Sequence, residues 1–223
     1  MTSSRGRLTR RGLLTTVAAG AAAALDGCST TKHRRQGSLP GTSPTANLIM
    51  IIRHAEKPAD SDGPYGIDED GNPDKHSLTV RGWMRAGALV QLFAPSSGSH
   101  RPGLARPTAV FAAGGTGGEG QRPRETVTPL VARLGLTLNT QYARGDEPTL
   151  AKACFSQPGP TLISWQHGEI PEILEAFGDL RPEPPKKWPD SRFDLVWTLT
   201  PGPDGWAFSQ LPQLLLDSDS DSG

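Results

Sequence analysis

Residues 48–52 (Leu-Ile-Met-Ile-Ile) are apolar without polar alternation, the pattern of a strand covered on both faces in a parallel α/β sheet. Residues 161–165 form a second strand-like run and residues 107–113 a third. Between them, Leu78, Val80, Trp83, Ala86, Leu89, Val90 and Phe93 recur at near-helical spacing, which predicts an amphipathic helix over 78–93. A further helix carries Val127, Leu130, Val131 and Leu134 and is stopped by Gly135. Residues 136–142 read as a short strand, 147–155 as a helix and 170–177 as another. Residues 192–200 and 206–211, split by Pro201-Gly202-Pro203-Asp204-Gly205, read as a closing hairpin. Alternating strands and helices of this kind predict an α/β fold, a three-layer α/β/α sandwich with a mostly parallel central sheet.

The residues just beyond the apolar runs carry the chemistry. The first run ends in Arg53-His54-Ala55-Glu56-Lys57, and the run at 161–165 ends in Gln166-His167-Gly168-Glu169. In open α/β sheets ligands bind outside the carboxyl ends of the strands, so both histidines fall where a crevice forms. After the strand at 107–113 a glycine-rich loop leads to Arg122-Pro123-Arg124-Glu125-Thr126, which opens a helix. Two arginines and two histidines can therefore converge on one pocket. His76 and His100 lack such a setting and read as solvated. Glu56 with Lys57 reads as a loop ion pair, and residues 188–192 as a loop edging the sheet. The glycine run 114–120 lacks the Gly-Lys-Ser/Thr ending of a nucleotide-binding P-loop and reads as a mobile surface loop.

The ends of the chain change the picture. Residues 1–27 combine Arg5, Arg7, Arg10 and Arg11 with a small-residue apolar stretch, the layout of an export signal. That stretch is short of the roughly 20 predominantly apolar residues of a spanning helix. Thr9-Arg10-Arg11-Gly12-Leu13-Leu14 resembles a twin-arginine signal. Leu25-Asp26-Gly27-Cys28 resembles a bacterial lipobox, with Asp26 a departure from it; this resemblance implies lipidation of Cys28 and attachment to a membrane. Residues 28–45, rich in Ser, Thr, Gly and Pro, suit a flexible linker. Residues 217–223 alternate acid and serine and are expected to be disordered. The folded domain is then 46–216. Formal charge over the whole chain is zero, from 23 basic and 23 acidic residues; without residues 1–27 it is 19 against 22, or −3. Such a balance does not suggest nucleic-acid binding. Of the two cysteines, Cys154 lies among Leu150, Ala151, Ala153 and Phe155 and reads as a buried helix residue.

Taken together, Arg53-His54-Ala55-Glu56 after a strand, Leu78-Thr79 with Gly82 opening a helix, Arg122 four before Thr126, and His167 after a late strand resemble the histidine phosphatase (phosphoglycerate mutase-like) superfamily. The resemblance covers nearly the whole expected domain. It implies that His54 is the nucleophile that takes up a phosphoryl group, that Arg53, Arg122 and His167 bind its oxygens, and that no metal or other cofactor is needed. Phosphoryl transfer asks mainly for positioning and for positive donors around the equatorial oxygens, which a guanidinium fork provides. The resemblance also calls for an acid beside the leaving oxygen. Glu169, in His167-Gly168-Glu169, looks like the His-Ala-Glu triplet of the phytase-like branch; Asp146 and Glu147 are the rivals from the mutase branch. Where many relatives have a short Ser-x-Leu-x-Arg turn, this chain has the glycine run. Arg124 thus competes with Arg122, although helical spacing from Thr126 favours Arg122.

The resulting expectation is an exported phosphomonoesterase acting on a small phosphorylated substrate. Two other readings use the same residues. His54-x-Glu56 and His167-x-Glu169 repeat one pattern, and the four side chains could hold a divalent ion for a metal-dependent hydrolase. Alternatively, the arginines could serve a non-catalytic phosphate-binding module at the cell surface.

Overall fold

The computed structural model describes residues 47–59, 63–203 and 205–221. The export signal (1–27), Cys28 and the linker (28–45) lie outside the described residues. Six strands form one sheet in the order β2-β3-β1-β5-β6-β4. These are β1 (Ile49–Arg53), β2 (Ala109–Ala112), β3 (Thr161–Trp165), β4 (Leu180–Arg181), β5 (Leu195–Gly202) and β6 (Gly205–Pro212). β1, β2 and β3 are mutually parallel through β3, whereas β5 runs antiparallel to both β1 and β6. The sheet is therefore mixed: a parallel half extended by an antiparallel hairpin, with the short β4 parallel to its outer strand.

Among the described residues, four helices cover the two faces. Side chains of α1 (Val80–Phe93) and α2 (Gln121–Leu134) pack with Met50, Ile52, Val110 and Leu162. Those of α3 (Glu147–Phe155) and α4 (Ile170–Glu175) pack with Ile49, Ile51, Ile163 and Trp165 on the other face. Alternate residues of β1 thus enter opposite cores, which is why its sequence shows no polar alternation. The three-layer sandwich is the architecture that the apolar pattern predicts.

Local chemistry sets the helix ends. The Thr79 hydroxyl accepts from the Gly82 amide at 3.2 Å and caps α1. Gly135, in the left-handed region at φ 67°, closes α2. Gly82 also lets α1 pass directly beneath the turn after β1, since a Cβ there would meet the Glu56 carbonyl oxygen at 2.5 Å.

Two expectations need correction. Residues 136–142 do not form a strand; they touch β2 at a single bridge, Phe111 to Asn139. Asn139 then turns the chain away, its side-chain oxygen accepting from the Gln141 amide at 3.0 Å. The tail from residue 217 has the composition of a disordered segment, yet residues 217–221 are docked. Asp219 pairs with the buried Arg85 of α1 at 2.7 Å, and the Ser220 amide donates to Asp194 at 3.0 Å. Among the described residues no helix is long and apolar enough to cross a membrane.

Candidate active site

The parallel pairing of β1 with β3 runs in register to Arg53 opposite Trp165. The next residues along, His54 on one strand and Gln166-His167 on the other, therefore leave the sheet at the same level. The His54 amide still bonds the Trp165 carbonyl at 2.9 Å, which fixes the start of the turn. The Thr126 hydroxyl of α2 accepts from the Ala55 amide at 2.8 Å and donates to the Arg122 carbonyl at 2.7 Å. One side chain so ties the segment bearing His54 to the helix bearing Arg122.

His54 is buried, with 4% of its surface exposed. Its Nδ1 lies 2.8 Å from the Ala55 carbonyl oxygen. A carbonyl only accepts, so Nδ1 carries the proton and Nε2 is left with its lone pair. The ring's pKa is lowered to about 3, chiefly by burial; the Ala55 bond opposes this, and the charges of Arg53, Arg122 and His167 reinforce it. At neutral pH His54 is thus an uncharged imidazole with a free Nε2, the form that can attack phosphorus.

Arg53 donates from Nη1 to the carbonyls of Asp190 (2.5 Å) and Arg192 (3.2 Å), and its guanidinium lies 3.8 Å over the Phe193 ring. Arg122 donates from Nη2 to the Lys75 carbonyl at 2.8 Å. Burial lowers both pKa values, that of Arg53 to about 10, and both groups stay cationic at neutral pH. Neither guanidinium has a carboxylate in ion-pair contact among the described residues. A buried cation and a half-buried one, neither in direct contact with a carboxylate although Asp190 and Glu56 lie near the first and Glu125 and Asp74 near the second, form a site that an anion would stabilise.

The buried polar atoms without a protein partner point the same way. Among the described residues they are Arg53 Nε, Arg122 Nε, Ser164 Oγ and Gln166 Oε1. All four belong to the ends of β1 and β3 or to the first turn of α2. Native interiors rarely leave such atoms unsatisfied, and their gathering at the carboxyl end of the parallel strands marks a place for a polar ligand.

His167 is partly exposed, its Nε2 lying 3.3 Å from Asp190 Oδ1. Its pKa is lowered by burial and by Arg53, against the pull of Asp190. His54, Arg122 and Gln166 line a cavity of about 220 Å³, together with His76 and the glycine loop 117–120. His167 lines a neighbouring one of about 370 Å³ with Lys186, Lys187 and Asp190. His54 and Arg122 thus line one hollow and His167 the other, while Arg53, at the end of β1, lines neither.

The acid candidates fare differently. The Glu169 carboxylate is engaged by Arg144 and lines neither hollow. Glu147 is fully buried, accepting from Trp165 Nε1 at 3.0 Å and the Gly145 amide at 2.9 Å. Asp146 accepts from the Ala143 amide. Arg124, the rival of Arg122, holds the glycine loop instead, donating to the Glu119 carbonyl at 3.1 Å. The metal set is not assembled: Glu56 is taken by Arg85 (2.8 Å) and Arg81 (3.2 Å), and Glu169 by Arg144. No group of three His, Cys, Asp or Glu side chains among the described residues could hold a metal ion. Cys154 is buried, its thiol pushed up to about 12, and it takes no part.

Several site residues escape sequence reasoning. Asp190 and Phe193 precede β5; the sequence reads the first as part of a loop edging the sheet and the second as a strand residue, and neither carries a site signal. The glycine run is a wall of the His54 cavity and not a free surface loop. Gly118, at φ 92°, packs against the His76 ring, where a Cβ would come within 2.5 Å. His76, expected in solvent, is thereby brought into that wall.

No family model and no curated protein matches the sequence. In chain path it is similar to the protein histidine phosphatase SixA complexed with tungstate (12% identity, TM-score 0.48, 74% of this chain and 97% of that one). It is also similar to the ecdysone phosphate phosphatase of Bombix mori in complex with tungstate (12% identity, TM-score 0.48, covering 79% and 96%). A third is a mycobacterial glucosyl-3-phosphoglycerate phosphatase complexed with VO3 (12% identity, TM-score 0.45, covering 73% and 96%). At such identity the chemistry rests on the side chains described above.

Proposed function

We propose that this chain transfers phosphoryl groups through a histidine, and in particular that it is a phosphomonoesterase of the histidine phosphatase type. The observation that carries the reading is the state of His54: neutral, Nδ1–H donated to its own turn, Nε2 free, with two guanidinium groups alongside whose Nε atoms have no partner among the described residues. His54 Nε2 attacks phosphorus, the P–O bond to the leaving group breaks, and a phosphohistidine forms. Water then attacks phosphorus, the P–N bond breaks, and inorganic phosphate leaves with His54 restored. Arg53 and Arg122 bind the equatorial oxygens throughout, and His167, oriented by Asp190, adds a further donor. No step calls for a metal.

The substrate is a small phosphorylated molecule, and hydrolysis is favoured over mutase transfer. Residues 1–27 are proposed to direct export, and Cys28 to carry a lipid that holds the domain outside the cytoplasmic membrane. Lipid labelling of the full chain, lost in Cys28→Ala, tests the anchor.

The enzymatic reading is tested by assaying a panel of phosphomonoesters, including an aryl phosphate, with and without chelator. Turnover insensitive to chelator and abolished in His54→Ala is expected. Chelator-sensitive turnover would revive the metal-dependent hydrolase, and phosphate binding without any turnover would favour the non-catalytic module.

A further inference from the structure

The leaving oxygen of an alkyl phosphate is too basic to depart unprotonated, so the His54 cavity needs a proton donor. The carboxylates that the sequence offers for this are occupied elsewhere, Glu169 by Arg144, Glu147 by Trp165 and Asp146 by the Ala143 amide. One acidic residue does line the cavity with His54, Glu119. Its backbone is held by the Thr116 carbonyl (3.2 Å) and by Arg124 (3.1 Å). Its side chain lies across Gly115, where a Cβ would come within 2.7 Å of the Glu119 Cβ and 3.3 Å of Oε2. The glycine at 115 is therefore what lets this side chain fold along the loop. No hydrogen bond or ion pair engages the Glu119 carboxylate among the described residues, which leaves its oxygens available to substrate and water.

We propose that Glu119 is the general acid and base of the reaction, a role that rests on His54 being the phosphoryl acceptor. In the first step His54 Nε2 bonds to phosphorus, the P–O bond breaks, and the leaving oxygen takes the proton of the Glu119 carboxylic acid. In the second, the Glu119 carboxylate takes a proton from water as the water oxygen bonds to phosphorus. The P–N bond breaks, its electron pair returns to Nε2, and the second water proton stays on the released phosphate. The inserted glycine run thus supplies the acid that neither branch-typical position offers in this chain.

The test compares wild type, Glu119→Gln and Glu169→Gln on an alkyl phosphate and on p-nitrophenyl phosphate, whose leaving group needs no proton. For Glu119→Gln, kcat/KM should fall about 100-fold or more on the alkyl ester and stay within about three-fold on the aryl ester. Samples quenched in alkaline detergent should show phosphoenzyme accumulating from the aryl ester, because the second step has lost its base. Equal slowing of both esters, or no change in either, overturns the role of Glu119, and a selective loss in Glu169→Gln transfers it there. If wild type forms no phosphoenzyme from either ester, it is the reading of His54 that fails, whatever Glu119 does.

Discussion

A nucleophilic imidazole must be unprotonated, and His54 is kept so by its surroundings. An ordinary histidine titrates near 6.5, whereas burial and three neighbouring cations hold His54 at about 3. Its ring nitrogens should therefore show one protonated Nδ1 and one bare Nε2 in nitrogen NMR from pH 8 down to pH 5. An imidazolium signal at pH 6 in the free protein would contradict this. The same shift bears on stability. The unfolded chain takes up a proton at this residue below about 6.5 and the folded chain refuses it until about 3, so His54 makes folding less favourable as pH falls through that window. Arg53 is equally particular. Its Nη1 reaches two carbonyls while its plane lies on Phe193, a combination of bonding and stacking that an ammonium cannot reproduce. Arg53→Lys should lower kcat/KM by about 100-fold with the charge retained, and an unchanged value would mean that only charge matters at this position.

At the scale of elements, the site is a joint between the β1 end, the β3 end and the first turn of α2. Thr126 is its pin. Thr126→Val should leave the Ala55 amide without its partner and cost about 1–3 kcal/mol, read as a lower midpoint of thermal unfolding with a fall in kcat/KM; Thr126→Ser should retain both. Much of this joint was legible in the sequence. Unbroken apolar runs marked β1 and β3, and the residues just beyond them had to face the crevice. The spacing of Arg122 from Thr126 favoured it over Arg124, and in the structure Arg122 lines the His54 cavity whereas Arg124 donates to the Glu119 carbonyl. What could not be read was the contact between distant loops. Gly118 closes on His76, and Asp190 orients His167, through approaches that no local pattern encodes. Residues 136–142 failed for a different reason: their apolar alternation is real, but an edge contact of one bridge replaces a strand.

For the molecule as a whole, the unexpected feature is the docked tail. Composition alone made residues 217–223 look disordered, yet Asp219 meets Arg85, which also holds Glu56 of the His54 turn and Gln213. The same tail bonds Arg192 through the Ser220 carbonyl, and the Arg192 carbonyl receives Arg53. The chain end thus buttresses the backbone that orients Arg53, the arginine proposed to bind phosphate. Burial pushes the Asp219 pKa up, but Arg85 and the amides of Leu215 and Leu216 overcome it and hold the group at about 2. A carboxylate depressed in this way adds stability above about pH 4, and the contribution fades as pH falls towards 2. Asp219→Asn should cost about 2 kcal/mol at pH 7 by denaturant unfolding, with the gap to wild type narrowing below pH 4. An equal gap at every pH would assign the effect to shape and not to charge.

The claim on which the rest depends is that phosphorus becomes bonded to His54. Acid-labile, base-stable phosphate on the protein, trapped by rapid quench during turnover of an aryl phosphate and mapped by mass spectrometry, tests it most directly. Phosphohistidine chemistry predicts label on the peptide containing His54, and none in His54→Ala. Turnover with no trapped phosphate, or phosphate on any other residue, would contradict it.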